Sequence, residues 1–494
     1  MAGNDQASSY ALGSWVFLRL LGVIYLVTFT SLALQIRGLA GAQGILPAAG
    51  YLASQERLGR RRLVYVPTLC WICCTDRFLQ LLSWGGAVLS LMLAADVAPQ
   101  FCLVLLWAFY LSLFSVCRLF LSYQWDVLLL ETGFLAIFLW PAEFVPRFPA
   151  ATAPPRLIIW LFWWLLFRLM FSSGVVKLRS GDFSWRKLTA LCHHYQTQPL
   201  PTPLAWFAHQ LPLPFHKFSA VLVLTVELAI PILIFAPPPA RYIAAWAFVV
   251  LMLLIQATGN YCFFNLLGIA LSFLLVDDRG WAWIFTGFHG APLRFHSSPP
   301  APLVEWLGRG FGIILLVLSL EPVLRLFRYE FKWPKPMRAF RWLSPFHLVS
   351  SYGLFAVMTT ERPEIVVEGS RDGETWLAYE FKWKPGNPKR APAFVAPHQP
   401  RLDWQMWFAA LGYYENHPWF ARFQNRLLEG SPPVISLLKN NPFKGEPPRY
   451  IRAVVFDYRF TNLADRRATG AWWERQRRGL YSPVLVAKHP AEKR

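Results

Sequence analysis

The chain has 494 residues, 55% of them hydrophobic and only 15% charged, with a mean hydropathy of +0.34. That balance excludes a disordered or collagen-like chain, and a single soluble core would carry about a quarter of its residues as charge. Its 48 basic and 28 acidic residues leave a formal charge of +20, but no basic helix with interleaved stacking aromatics stands apart from the apolar runs, so lipid headgroups rather than nucleic acid are the expected counterpart.

In chain order, apolar runs recur about nine times, over 15–35, 78–95, 101–121, 127–140, 157–176, 218–236, 243–258, 261–276 and 304–326. Runs of about 17–25 apolar residues are long enough to cross a bilayer as helices. The first, within 11–34, is too long for the apolar part of a cleavable signal and lacks a basic flank before it, so a retained helix is expected. The run 127–140 is short and carries Glu131, which suits a buried or re-entrant segment. The chain is thus expected to be a polytopic α-helical membrane protein with a β-rich extramembrane domain after it.

After Arg328 charges alternate with aromatics and prolines crowd together, and 345–358 reads as an amphipathic stretch. Beyond Glu361 the apolar residues of 365–368 and 375–381 flank Arg371-Asp372-Gly373, which is hairpin chemistry, and 450–460 alternates as a third strand. Between them 402–411 and 418–428 have helical spacing. The expected organisation is a transmembrane helical domain over 1–330, an amphipathic junction over 331–360 and a β-rich C-terminal domain with a helical insertion over 361–494. The seven cysteines, Cys70, Cys73, Cys74, Cys102, Cys117, Cys192 and Cys262, all lie in or beside the membrane portion, so the C-terminal domain must fold without disulfides.

Ionisable groups inside a membrane are costly, and each needs a partner. The set is Arg118, Asp126, Glu131, Arg168, Lys177 and Glu227. Asp126 and Glu131 are five residues apart, about 140° around a helix, and cannot form a facing acid/base pair. Asp126 is expected to cap the helix start and Glu131 to be buried against Arg118, Arg168 or Lys177. Lys177 ends a helix rich in small residues, and a polar loop with His193 and His194 follows. Desolvating such an ammonium is the usual route to a lysine base, whereas the blander alternative is a lysine that snorkels to the headgroups. His193, His194, His209 and His216 match no zinc spacing, and Cys70-Trp-Ile-Cys73 abuts a span rather than a βαβ unit, which favours buried thiols. No G-x-S-x-G, P-loop, G-x-G-x-x-G or H-E-x-x-H occurs, so no cofactor and no metal are expected.

Three blocks of the sequence resemble the lipase maturation factor family and together cover most of the chain. The first is Tyr123-Gln-Trp-Asp126 with Leu-Leu-Leu-Glu131-Thr-Gly-Phe-Leu. The second runs from Phe167-Arg168 through Gly174, Lys177-Leu and Trp185-Arg186 to His194-Tyr-Gln-Thr-Gln-Pro199. The third is the tail, with Tyr352-Gly-Leu-Phe, Glu368-Gly-Ser-Arg-Asp-Gly-Glu-Thr-Trp376, Ala396-Pro-His-Gln-Pro-Arg401-Leu-Asp-Trp404-Gln-Met-Trp407 and Trp472-Trp473. The resemblance implies a multi-pass membrane protein, of the endoplasmic reticulum in animals, that helps secreted dimeric lipases reach their active form without established catalytic residues. Its motif polar cluster here would be Asp126, Glu131, Arg168 and His194. A chaperone-like role would engage the client lipase through aromatic surface, with Trp404, Trp407, Trp472 and Trp473 as candidates and a core position as the alternative for each.

Gly174-Val-Val-Lys177-Leu with Trp185 downstream is also similar, more faintly, to the vitamin K-dependent gamma-carboxylase, which would make Lys177 a catalytic base in a membrane enzyme. A scaffold or transporter-like protein relying on Asp126 or Glu131 is a further rival. With nine spans the positive-inside rule puts the Arg57–Arg62 loop and the tail in the cytoplasm, whereas the family picture puts the tail in the lumen or periplasm; long domains translocate largely regardless of charge, so the latter is preferred. The location expected is the endoplasmic reticulum membrane in a eukaryote or the inner membrane in a bacterium.

Overall fold

The computed structural model describes residues 10–139, 154–286, 302–327 and 339–487. Its helical part begins with α1 (Ala11–Ala33), α2 (Asp76–Ala94), α3 (Pro99–Cys117), α4 (Gln124–Ala136) and α5 (Arg156–Arg179). After two short helices, α6 (Ala190–Thr197) and α7 (Pro203–His209), come α8 (Leu213–Leu228), α9 (Pro238–Thr258), α10 (Phe264–Phe273) and α11 (Pro302–Leu326). Local signals set several of these starts. The Thr75 hydroxyl accepts the Phe78 amide at 3.2 Å ahead of α2, and Pro99 opens α3 where its missing N–H costs nothing.

Among the described residues six segments are long and apolar enough to cross a membrane: 11–33, 76–94, 99–120, 156–179, 213–235 and 238–258. Two of the other expected runs form shorter helices, α4 with 13 residues and α10 with ten. Both are apolar around most of their circumference and lie inside the bundle, the environment such a helix requires. The run 304–326 is the 25-residue α11, packed along α5 so that Trp164 donates to the Ser319 hydroxyl at 2.7 Å. Trp140 and residues 331–338 of the expected junction fall outside the described residues.

Close helix packing depends on small residues, as is usual where lipid supplies no hydrophobic drive between helices. A Cβ on Gly86 of α2 would come within 2.4 Å of the Phe29 ring of α1, and one on Gly133 of α4 within 1.9 Å of the Tyr25 hydroxyl.

The two ends of the bundle differ. At one, the amides of Ala11 and Leu12 donate to Asp278 at 3.1 and 2.8 Å, Trp15 donates to Asp96 at 3.1 Å and Arg241 to the Leu275 carbonyl at 3.0 Å. At the other, where α1 finishes, sits the C-terminal region. The start of α1 and the C-terminal region therefore lie at opposite ends of the bundle.

That region holds β1 (Arg362–Ser370), β2 (Leu377–Ala378), β3 (Glu380–Phe381), α12 (Arg401–Ala410), α13 (Pro418–Leu428), β4 (Leu438–Asn440), β5 (Tyr450–Phe460), α14 (Leu463–Thr469) and β6 (Trp473–Val486). The main sheet is antiparallel in the order β2-β1-β5-β6, with Ile365 opposite Val455, Val367 opposite Ala453 and Phe460 opposite Trp473; β3 and β4 form a separate pair. The expected hairpin is present. Asp372 holds its turn by accepting the Thr375 and Glu374 amides at 2.8 and 2.9 Å and the Ser370 hydroxyl at 2.8 Å, which keeps its carboxyl well below the usual range. β6 lies at the edge of the sheet, and its three register shifts against β5, with Arg477 and Pro483, blunt it as a template for further strands. Bundle and C-terminal region share one continuous core, from Phe17 and Tyr110 to Trp404, Phe420 and Val367.

Candidate functional site

Of the ionisable groups expected in the membrane, all but Arg118 fall in three nodes at or beside the seam between the bundle and the C-terminal region. The first is built on the opening turn of α4. Asp126 is fully buried and receives Arg401 of α12 in a two-pronged pair at 2.7 and 2.9 Å, with a further hydrogen bond from the Tyr110 hydroxyl. Arg401 also donates to the Phe120 carbonyl at 2.8 Å, and its own amide donates to Gln35 at 2.9 Å. Asp126 is thus not the helix cap that its position suggested. Tyr123 occupies the cap without a side-chain bond, because the carboxylate has a guanidinium to meet. Beside it Gln399 is held from both sides. Its side chain accepts the Trp125 indole N–H at 2.5 Å, and its backbone exchanges hydrogen bonds with Ser31 and Gln35 at 2.7–3.3 Å.

The second node clamps the segment leading into the sheet. Glu131 pairs with Arg168, one of the three partners expected, and its other oxygen accepts the Ser350 amide at 3.0 Å and the Tyr352 hydroxyl at 2.6 Å. Arg168 returns a bond to the Ser350 carbonyl at 3.1 Å. Arg118 lies elsewhere, exposed and stacked 4.7 Å from the Tyr51 ring.

The third node contains Lys177. Its ammonium lies 2.6 and 2.8 Å from the two oxygens of Glu227 on α8 and 3.4 Å from the Ser173 carbonyl, under the Trp185 ring at 5.3 Å. Lys177 therefore does not snorkel to the headgroups; it is 3% exposed. Trp185 in turn donates to the Phe355 carbonyl at 2.9 Å. His194 is partly buried next door, 3.3 Å from the Tyr261 hydroxyl, which donates to Gln198 at 2.7 Å. Burial, and then the Lys177 charge, push His194 down to about 4, so it is neutral at ordinary pH.

A matching set of contacts reaches the seam from the sheet. Arg362 of β1 is fully buried, pairs with Glu364 at 2.7 Å, and donates to the carbonyls of Gln196 and Pro199 at 2.6 and 2.9 Å. Asn260 donates to the Ala393 carbonyl at 2.8 Å and accepts the Val395 amide at 2.7 Å. Arg401, Arg362 and Gln399 thus share the work with the residues anticipated, among which Glu227 proves to be the partner of Lys177.

Of the aromatics proposed as client contacts, Trp404 and Trp473 are core residues, 3% and 2% exposed. Trp404 packs edge-on to Trp125 at 4.8 Å, and Trp473 lies 4.3 Å from Phe460 and under the Arg362 guanidinium. Neither offers surface to a partner. Trp407 is partly buried and donates to the Thr197 carbonyl at 2.9 Å, whereas Trp472, also partly buried, lines an open groove. All seven cysteines are free, and among the described residues no three His, Cys, Asp or Glu side chains converge as a metal site. A separate groove of about 880 Å³ opens between α8, α9 and residues 276–284, with Tyr242 and Arg279 as its polar members, and none of the residues above lines it.

A family model described as the lipase maturation factor transmembrane domain matches residues 12–283, and one described as the lipase maturation factor C-terminal domain matches residues 348–483. The chain is 38% identical to lipase maturation factor 2 of Gallus gallus, over 96% of this chain and 81% of that protein. It is 39% identical to the Rattus norvegicus lipase maturation factor 2, over 93% and 81%. With lipase maturation factor 1 of Homo sapiens the identity is 33%, over 95% and 87%. No solved structure matches the chain.

Proposed function

The chain belongs to the lipase maturation factor family, and from that premise we propose that this multi-pass membrane protein matures secreted lipases by acting on client folding and assembly rather than by chemistry. The observation that carries the reading is the closure of the intramembrane charges. Asp126 meets its counter-charge from the C-terminal region and so ties that region to the bundle, whereas Glu131 and Lys177 meet theirs within the bundle. A general base needs a free lone pair and access to substrate. Lys177, enclosed by Glu227, Ser173 and Trp185, lacks that access, which speaks against the carboxylase-like alternative. In this reading residues 1–330 anchor a rigid platform, 331–360 tie it down, and 361–494 present it to the client. It carries with it a location in the endoplasmic reticulum membrane of a eukaryotic cell or the inner membrane of a bacterial one.

The test is the specific activity of the host's secreted lipases, activity divided by secreted mass, with and without the gene. A fall in specific activity while lipase protein is still made is expected; an unchanged ratio would rule out lipases as the clients.

A further inference from the structure

Below the sheet, a groove of about 400 Å³ runs between α7 and α14, lined by Trp206, Phe207, Leu463, Arg466, Arg467 and Trp472. Arg466 lies flat against aromatic faces, its guanidinium carbon 3.6 Å from the Trp472 ring centre and 4.6 Å from that of Trp206. Stacking uses the face of a guanidinium and leaves its in-plane N–H groups for an anion. No carboxylate lines the groove, and among the described residues neither Arg466 nor Arg467 has an acidic partner. Two guanidinium groups thus meet where the chain supplies no counter-charge.

The surroundings identify the occupant. α7 leads through residues 210–212 straight into the span 213–235, so the groove sits where the chain enters the membrane. Leu204, Phe207, Leu211, Leu213, Phe215 and Phe218 are exposed along that entry, and Lys217 is exposed among them. Apolar side chains below, with Trp and basic side chains above, are the pattern of a protein surface at headgroup level. Juxtamembrane Arg and Lys there attract anionic lipid.

We propose that this groove holds the phosphate headgroup of an anionic phospholipid, with Arg466 and Arg467 as its donors and the exposed apolar flank against its acyl chains. The C-terminal region is then moored to the bilayer surface by lipid as well as to the bundle by the Asp126–Arg401 pair and the hydrogen bonds around it.

The test uses the full chain extracted from mixed phosphatidylcholine and phosphatidylglycerol membranes, with bound lipid read by native mass spectrometry and melting temperature by titration with each lipid. Selective retention of phosphatidylglycerol is expected, with affinity falling about tenfold in Arg467→Gln, the cost of one charge-assisted hydrogen bond. Arg467 is exposed, so this variant keeps the fold, and Arg466→Gln should fall at least as far. Equal retention of the two lipids, or undiminished phosphatidylglycerol binding in both variants, would overturn the proposal. So would inorganic phosphate raising the melting temperature as much as the lipid does, since the ligand would then be a free anion.

Discussion

The Lys177 ammonium gives up water for two Glu227 oxygens and one carbonyl, and that exchange is favourable only while all partners are present. Removing one member of a buried pair leaves a naked charge and costs about 3–5 kcal/mol, whereas replacing both by apolar groups is often neutral. Lys177→Met should therefore lower the melting temperature sharply, and Lys177→Met with Glu227→Met should restore most of it. Restored lipase maturation in the double variant is expected of an architectural lysine; a stable but inactive double variant would mean that the amine itself acts. At this scale the sequence was informative about which residues matter and poor about whom they meet. Glu131 and Arg168 could be matched because both lie in apolar runs close in the chain. Asp126 looked like a cap because its partner, Arg401, is 275 residues away in a segment whose pattern reads only as an extramembrane helix.

Among the elements, those with a clear period are found where the pattern put them: 450–460 is β5, and 402–411 and 418–428 are α12 and α13 within a residue or two. β6 escaped notice because Glu474 to Arg478 are all exposed, so an edge strand there shows charge instead of alternation. The short helix α10 was overestimated as a span because burial inside the bundle calls for apolar residues just as lipid does, whereas α4, whose short run and Glu131 suited a buried segment, is one. Contact between α1 and α4 rests on Gly133. Gly133→Ala should cost about 1–3 kcal/mol through overpacking against the Tyr25 hydroxyl. Adding Tyr25→Phe, which removes that oxygen and leaves the ring carbon at 3.1 Å, should recover part of the loss in a thermal melt. A melt unchanged by Gly133→Ala would show that the two helices do not pack so closely.

For the whole molecule, the seam sets the response to pH. His194, His209 and His398 are each pushed down to about 4, by burial first and then by neighbouring charges, and His398 lies 2.9 Å from Ser31 across the seam. In the unfolded chain a histidine takes its proton near 6.5. Between about pH 6.5 and about pH 4 the unfolded state binds protons that the folded state refuses, so stability falls as pH falls through that window. The melting temperature of the solubilised protein should therefore drop as the pH is lowered across it, and His398→Gln should flatten part of the slope; an equally steep slope in that variant would exclude the seam histidine as a source. The Asp126–Arg401 pair has a consequence in time as well. A ribosome delivers Asp126 to the membrane long before it has made Arg401. For most of synthesis the early helices carry a carboxylate whose counter-ion does not yet exist, and a nascent chain stopped short of residue 401 can never acquire it. The last third of the polypeptide is in effect the final step in assembling the first, so premature stop codons far downstream should be felt at the very beginning of the protein.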